Sequence, residues 1–213
     1  MPTNRPHRLK TFSYLGCYRY SLTFCTNFRA HLFVDAEAVR LVLSQFLRAA
    51  AEEGFSVLAY CFMPDHVHFL VQGDSEWSDG RRFIRQGKQY AGYAYSARYG
   101  RKLWQPWGFE RVLRDEETSL NVARYIVENP VRAGLAKTVS EYPFVGSELC
   151  ELKYLIESLP TRPPPPRRVE KVGPRQSSRP KGRHYVSPAD LKVGTTCGNR
   201  RLGKVQVIRI RKR

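Results

Sequence analysis

Hydrophobic positions along this chain recur with two periods in turn, and their succession predicts the fold. Tyr18 to Phe24 (YRYSLTF) alternates apolar with polar residues, the period of a half-buried strand. Between Asp35 and Glu53 the spacing becomes helical. Val39, Leu43, Phe46 and Ala50 share one face, Asp35 can cap the start, and Gly54 can end the helix. Ser56 to Phe62 is a short apolar run of the kind found in buried strands. Met63-Pro64-Asp65 makes a turn, and His66 to Val71 is a second strand, so the two form a hairpin. Arg81 to Tyr99 is predicted helical, with Phe83, Tyr90, Ala94 and Ala97 as its apolar stripe. Gly108 to Arg114 reads as a strand, and Glu116 to Asn129 as a third helix that Pro130 stops.

The predicted order is β-α-β-β-α-β-α. Its first six elements match the split βαβ, ferredoxin-like arrangement, an α+β fold in which helices cover one face of an antiparallel sheet. No internal repeat is visible.

Charge divides the chain in two. The 213 residues carry a net charge of +17. From Arg162 to Arg213 there are 16 Lys and Arg against two acids, a net of +14, whereas Met1 to Thr161 carries 20 against 17, a net of +3. The junction, Pro160-Thr-Arg-Pro163-Pro-Pro-Pro166, favours extended polyproline geometry. The expected organisation is thus a body over 1–159, a Pro-rich basic linker over 160–180 and a basic tail over 181–213. The tail is expected to be largely irregular, with one apolar alternation at Lys204 to Ile210 that suits a short strand. Such charge suits polyanions, nucleic acid above all, although a solubilising end fits the same composition.

The longest apolar run, Val57 to Met63, is far short of the roughly 20 residues that span a bilayer. No apolar segment follows the basic N-terminal residues, so no secretory signal is read and a cytoplasmic, nucleoid-associated protein is expected. The five cysteines are odd in number, scattered and never spaced as CxxC. They read as free thiols in a reducing compartment rather than as a disulfide framework or a zinc site.

Candidate chemistry sits at two places. In His66-Val67-His68 side chains alternate, so both imidazoles leave one face of the strand and can share a divalent cation. Asp65 precedes them as a candidate orienting group. Two such histidines also occur together incidentally. On the third helix Tyr125 and Asn129 stand at i and i+4, away from the stripe of Leu120, Ala123 and Val127, so Tyr125 is either a reactive side chain or an ordinary packing tyrosine. The second helix interleaves Tyr90, Tyr93, Tyr95 and Tyr99 with Arg82, Arg85, Lys88 and Arg98, a set that suits either a nucleic-acid strand or packing. Arg124, next to Tyr125, joins these candidate nucleic-acid contacts.

Taken together these segments resemble a known family. Met63-Pro64-Asp65-His66-Val67-His68 resembles the histidine-hydrophobic-histidine (HUH) signature of single-tyrosine transposases of the insertion-sequence type. Leu103-Trp104-Gln105 with Phe109-Glu110-Arg111-Val112, then Tyr125-Ile126-Val127-Glu128-Asn129-Pro130-Val131-Arg132-Ala133-Gly134-Leu135, and finally Tyr142-Pro143-Phe144 with Ser147, follow that family in order. The resemblance covers roughly Tyr14 to Glu148 and is strongest to the REP-associated tyrosine transposases.

The resemblance implies a metal-dependent endonuclease and strand transferase acting on single-stranded DNA, with hairpin-forming repeats as its target. By it, His66, His68 and Asn129 are the expected ligands of Mg²⁺ or Mn²⁺, and Tyr125 is the expected nucleophile, giving a 5′-phosphotyrosine. The alternatives are a domesticated hairpin-binding protein without catalysis and a metal-dependent nuclease that uses water. Monomer and homodimer are both open, and the role of the tail is not inherited from the family.

Overall fold

The computed structural model describes residues 13–113 and 116–159. The linker and the tail expected at 160–180 and 181–213 lie outside these residues. Strand β1 (Arg19–Thr26) runs into a 3-10 turn (Asn27–Arg29), followed by helix α1 (Ala36–Glu53). Strands β2 (Phe55–Met63) and β3 (His66–Gly73) form the hairpin, and helix α2 (Gly80–Tyr99) leads to strand β4 (Trp104–Leu113). Helix α3 (Glu116–Val127), the short α4 (Asn129–Arg132), strand β5 (Val145–Gly146) and helix α5 (Leu152–Ser158) follow.

The five strands form one sheet in the order β4-β1-β3-β2-β5, with every neighbouring pair antiparallel. Its first four strands carry the expected split βαβ topology. This α+β architecture puts β3, the histidine strand, in the interior of the sheet. Pro106 is tolerated within β4 because β4 is an edge strand.

Both crossover helices cover one face. Phe24, Phe69, Val67 and Val71 of the sheet pack there with Phe46 of α1 and Phe83 of α2. Asp35 caps α1 by accepting from the Ala38 amide, and Gly54 ends it at φ 66. Asp79 caps α2 through the Arg81 and Arg82 amides. The buried stripe of α2 is Phe83, Gly87, Ala91 and Tyr95, which corrects the expected Phe83, Tyr90, Ala94 and Ala97. The cause is a close helix crossing: a Cβ on Gly87 would lie 2.5 Å from the Phe46 ring, so the face turned to α1 runs through Gly87.

A second, smaller core lies on the other face. Ala59, Cys61 and Met63 of β2 and Leu70 of β3 meet Ala123, Ile126 and Val127 of α3, Val145 of β5 and Leu155 of α5. The third helix was expected to run to Asn129 and stop at Pro130. It instead breaks at Glu128, and Asn129 opens α4 with Pro130 in its first turn. A proline there removes no hydrogen bond that the new turn needs, so the chain resumes a helical path.

Cys25, Cys61 and Cys150 are free thiols, as expected. Among the described residues no helix is long and apolar enough to cross a membrane.

Candidate active site

Strand alternation decides which face β3 gives to chemistry. Val67 and Phe69 point into the core beneath α1 and α2, so His66 and His68 emerge on the opposite face, beside the α3 core. Register fixes their flanks. Thr23 of β1 and Cys61 of β2 lie across from His68, and Cys25 and Met63 lie across from His66.

Each imidazole is fixed by its Nδ1 and offers its Nε2. His66 Nδ1 lies 2.6 Å from Asp65 Oδ1, and the other Asp65 oxygen accepts from Arg29 Nε at 3.0 Å. Burial works against the Asp65 charge, but the hydrogen bond and charge of His66, with Arg29, hold its carboxyl below the ordinary range. His68 Nδ1 lies 2.8 Å from Thr23 Oγ1. The two Nε2 atoms then face each other at 3.1 Å.

Burial pushes His68 down to about 4, helped by the positive charges of His66, Arg132 and Arg29, so it is neutral at neutral pH. His66 Nδ1 faces Asp65, and its Nε2 is directed at His68. Two nitrogen ligands about 2.1 Å from one ion at a right angle sit about 3.0 Å apart, so the observed spacing fits a shared cation. Cys61, across from His68, donates to Met63 Sδ, and burial raises its thiol to about 12. Among the described residues no group of three His, Cys, Asp or Glu side chains is arranged to hold a metal ion.

Asn129 supplies the right chemistry for a third position, an amide oxygen. It accepts from Arg132 Nη2 at 2.7 Å, while its buried Nδ2 has no partner among the described residues. A buried amide donor without a partner is costly. No hydrogen bond joins Asn129 to either histidine among the described residues.

Tyr125 stands on the same face. Its ring lies 6.2 Å from that of His68, edge to face, and the residue is 52% exposed. Because α3 ends before Asn129, Tyr125 and Asn129 are linked through Arg132 rather than by one helical ladder. The Arg132 guanidinium lies 3.7 Å from the Tyr125 ring centre and also donates to the Tyr125 carbonyl.

The structure therefore gathers His66, His68 and Tyr125, with Asn129 tied to Tyr125. It does not bring the α2 cations to them. Arg82, Arg85, Lys88 and Arg98 belong to the helix on the opposite face, where Arg82 pairs with Glu53 and Arg98 with Glu37. Arg124 is largely buried and turns toward Glu128. Thr23, Arg29 and Arg132 are site residues that sequence reasoning missed. Thr23 had a signal in the alternation of β1, and Arg132 in its helical spacing from Tyr125 and Asn129. Arg29 had none.

Known proteins share this arrangement of elements. The family described as "Transposase IS200 like" matches residues 15–129, more than half of the chain. A REP-associated tyrosine transposase of Escherichia coli K12 is 30% identical over 101 residues, 46% of this chain and 58% of that protein. A relative from Haemophilus influenzae Rd, provisionally given the same name, is 23% identical over 151 residues, 63% of this chain and 81% of its own. The solved structure of a REP-associated tyrosine transposase bound to a REP hairpin shares the fold, with a TM-score of 0.55 at 21% identity over 65% of this chain and 82% of that one. The histidine strand and the tyrosine helix both fall inside the matched span, and by that match the chain belongs to the IS200-like transposase family.

Proposed function

We propose that this chain nicks and rejoins single-stranded DNA through a covalent 5′-phosphotyrosine at Tyr125. The observation that carries this reading is the half-exposed Tyr125 ring beside two imidazoles whose Nε2 atoms converge at 3.1 Å. A divalent cation, Mg²⁺ or Mn²⁺, held by His66, His68 and Asn129 would polarise the scissile phosphate and offset the charge developing on it.

Tyr125 Oη forms the new bond to phosphorus as the bond to the 3′ oxygen breaks. The phenol loses its proton and the departing oxygen ends as a 3′-hydroxyl, so charge balances across the step. The phosphodiester is exchanged rather than hydrolysed, and a 3′-hydroxyl reverses the reaction without ATP. Arg132 stacks its guanidinium on the tyrosine ring and so restricts its motion. Asp65 and Thr23 hold the two imidazoles by their Nδ1 atoms, with both Nε2 atoms turned toward each other. The relative solved with a REP hairpin makes hairpin-forming DNA the first substrate to offer.

The test is a denaturing gel of the full chain incubated with labelled hairpin-bearing single strands. A slow-migrating covalent product is expected, absent in Tyr125→Phe while DNA binding persists. Cut DNA without adduct would identify a water-using nuclease, and binding without cleavage a hairpin-binding protein. An adduct mapped to Tyr93 or Tyr95 would remove Tyr125 from its role.

A further inference from the structure

The chain leaves β1 through a turn that few side chains adopt. Phe28 (φ 54, ψ 22) and Arg29 (φ 56) are consecutive, and they are the two non-glycine residues with positive φ among the described residues. Strain of this kind persists where the surroundings fix it, and it concentrates at functional sites. Here the fixing is explicit. The Thr26 hydroxyl lies 2.7 Å from the Ala30 carbonyl and 2.9 Å from the Asp65 carbonyl, the Thr26 amide donates to Asp65, and the Asn27 amide donates to Leu103.

This turn holds an aromatic ring out in water. Phe28 is 92% exposed, more than any other large hydrophobic side chain among the described residues. A glycine or asparagine would relieve the backbone and a polar side chain would suit the solvent, so neither folding nor solubility accounts for a phenylalanine. Its neighbour connects it to the site. Arg29 Nε binds Asp65, which holds His66, and its Nη1 binds Cys25 Sγ at 2.8 Å, leaving Nη2 for another acceptor. Cys25 is the residue across from His66, and Phe28 lies three residues on, within about 11 Å along the chain.

We propose that Phe28 is a nucleobase-stacking platform at the rim of the site, with Arg29 placed to contact a phosphate of the same strand. This rests on the reading of the chain as an enzyme of single-stranded DNA. An exposed ring beside a cation matches a single strand on both counts, since every base has a π-face and every nucleotide a charge. A rigid turn presents the ring without an ordering cost on binding.

The full chain is irradiated with oligo(dT) containing 5-iododeoxyuridine, which cross-links to a stacked aromatic ring, and the peptide is identified by mass spectrometry. The cross-link is expected at Phe28, retained in Phe28→Trp, and lost in Phe28→Asn, which accepts left-handed backbone and keeps the turn. At raised salt, where phosphate contacts are weakened, Phe28→Asn is expected to bind about tenfold more weakly, with a melting temperature equal to or above that of the wild type. Cross-links that map elsewhere, together with wild-type affinity in Phe28→Asn, would overturn the platform and leave the proposed activity standing. A wild-type chain with no affinity for oligo(dT) even at low salt would overturn the platform, and one that also formed no adduct with hairpin-bearing strands would overturn the proposed activity.

Discussion

Arg132 lies 3.7 Å over the Tyr125 ring, and one of its nitrogens donates to both the Tyr125 carbonyl and the Asn129 amide oxygen. One guanidinium thus sets the attitude of the candidate nucleophile relative to a candidate ligand. A cation–π contact at an exposed site is worth about 0.5–1 kcal/mol, and a hydrogen bond from a charged group about 1.5–3 kcal/mol. Arg132→Ala should therefore slow covalent attachment by roughly tenfold or more, with a smaller change in DNA affinity. Arg132→Lys keeps the charge but not the planar stack, and should recover only part of the rate. Single-turnover adduct formation and a separate binding isotherm distinguish this from a simple phosphate contact, for which affinity would fall and the rate at saturation would not.

The histidine pair gives a prediction with two readouts. His66→Ala and His68→Ala should each abolish cleavage, and excess chelator should do the same to the wild type. Mn²⁺ binding measured by calorimetry should fail in both variants. The groups behind them should matter less but measurably: Asp65→Asn and Thr23→Val are each expected to weaken Mn²⁺ binding by about 10- to 100-fold. Full cleavage in chelator would mean that the histidines act as acid, base or scaffold.

Much of this arrangement is legible in the sequence, and the exceptions have physical causes. Asp35 and Gly54 delimit α1 as read, because caps act locally. The alternation of β3 puts His66 and His68 on one face for the same reason. The buried stripe of α2 is not legible in the sequence because Gly87 has no hydrophobic signature, and only the approach of Phe46 shows that it is an interface residue. Pro130 reads locally as a stop, whereas it sits in the first turn of α4, which carries Arg132 back over Tyr125. Arg29 reaches the site through a turn whose positive φ values no local rule assigns to Phe-Arg. The two-residue β5 is too short to leave a periodic signal.

Low pH should act on His68. Its folded value of about 4 lies below the ordinary 6.5, so between these values the unfolded chain binds more protons than the folded one. Stability should therefore be complete above pH 6.5 and fall as the pH drops toward 4. The upper bound on the loss from this group is about 3 kcal/mol. Urea titrations in metal-free buffer across that range test it. His68→Asn, which keeps an acceptor or donor near Thr23 but does not titrate, should flatten the slope in this window.

The last prediction concerns the residues beyond Thr161, whose net +14 contrasts with +3 for all that precedes them. If that charge supplies sequence-independent affinity, each phosphate it neutralises adds about 0.7 to the slope of log affinity against log salt for single strands. A chain ending at Thr161 should bind more weakly at moderate salt and show a distinctly shallower slope. It should still cut the same phosphodiester at saturating DNA, because His66, His68, Tyr125 and Asn129 remain in place. A purely solubilising tail predicts the same slope with and without it. A cut site that moved on truncation would show that the tail reads sequence or hairpin shape, and that strand choice does not reside in the body alone.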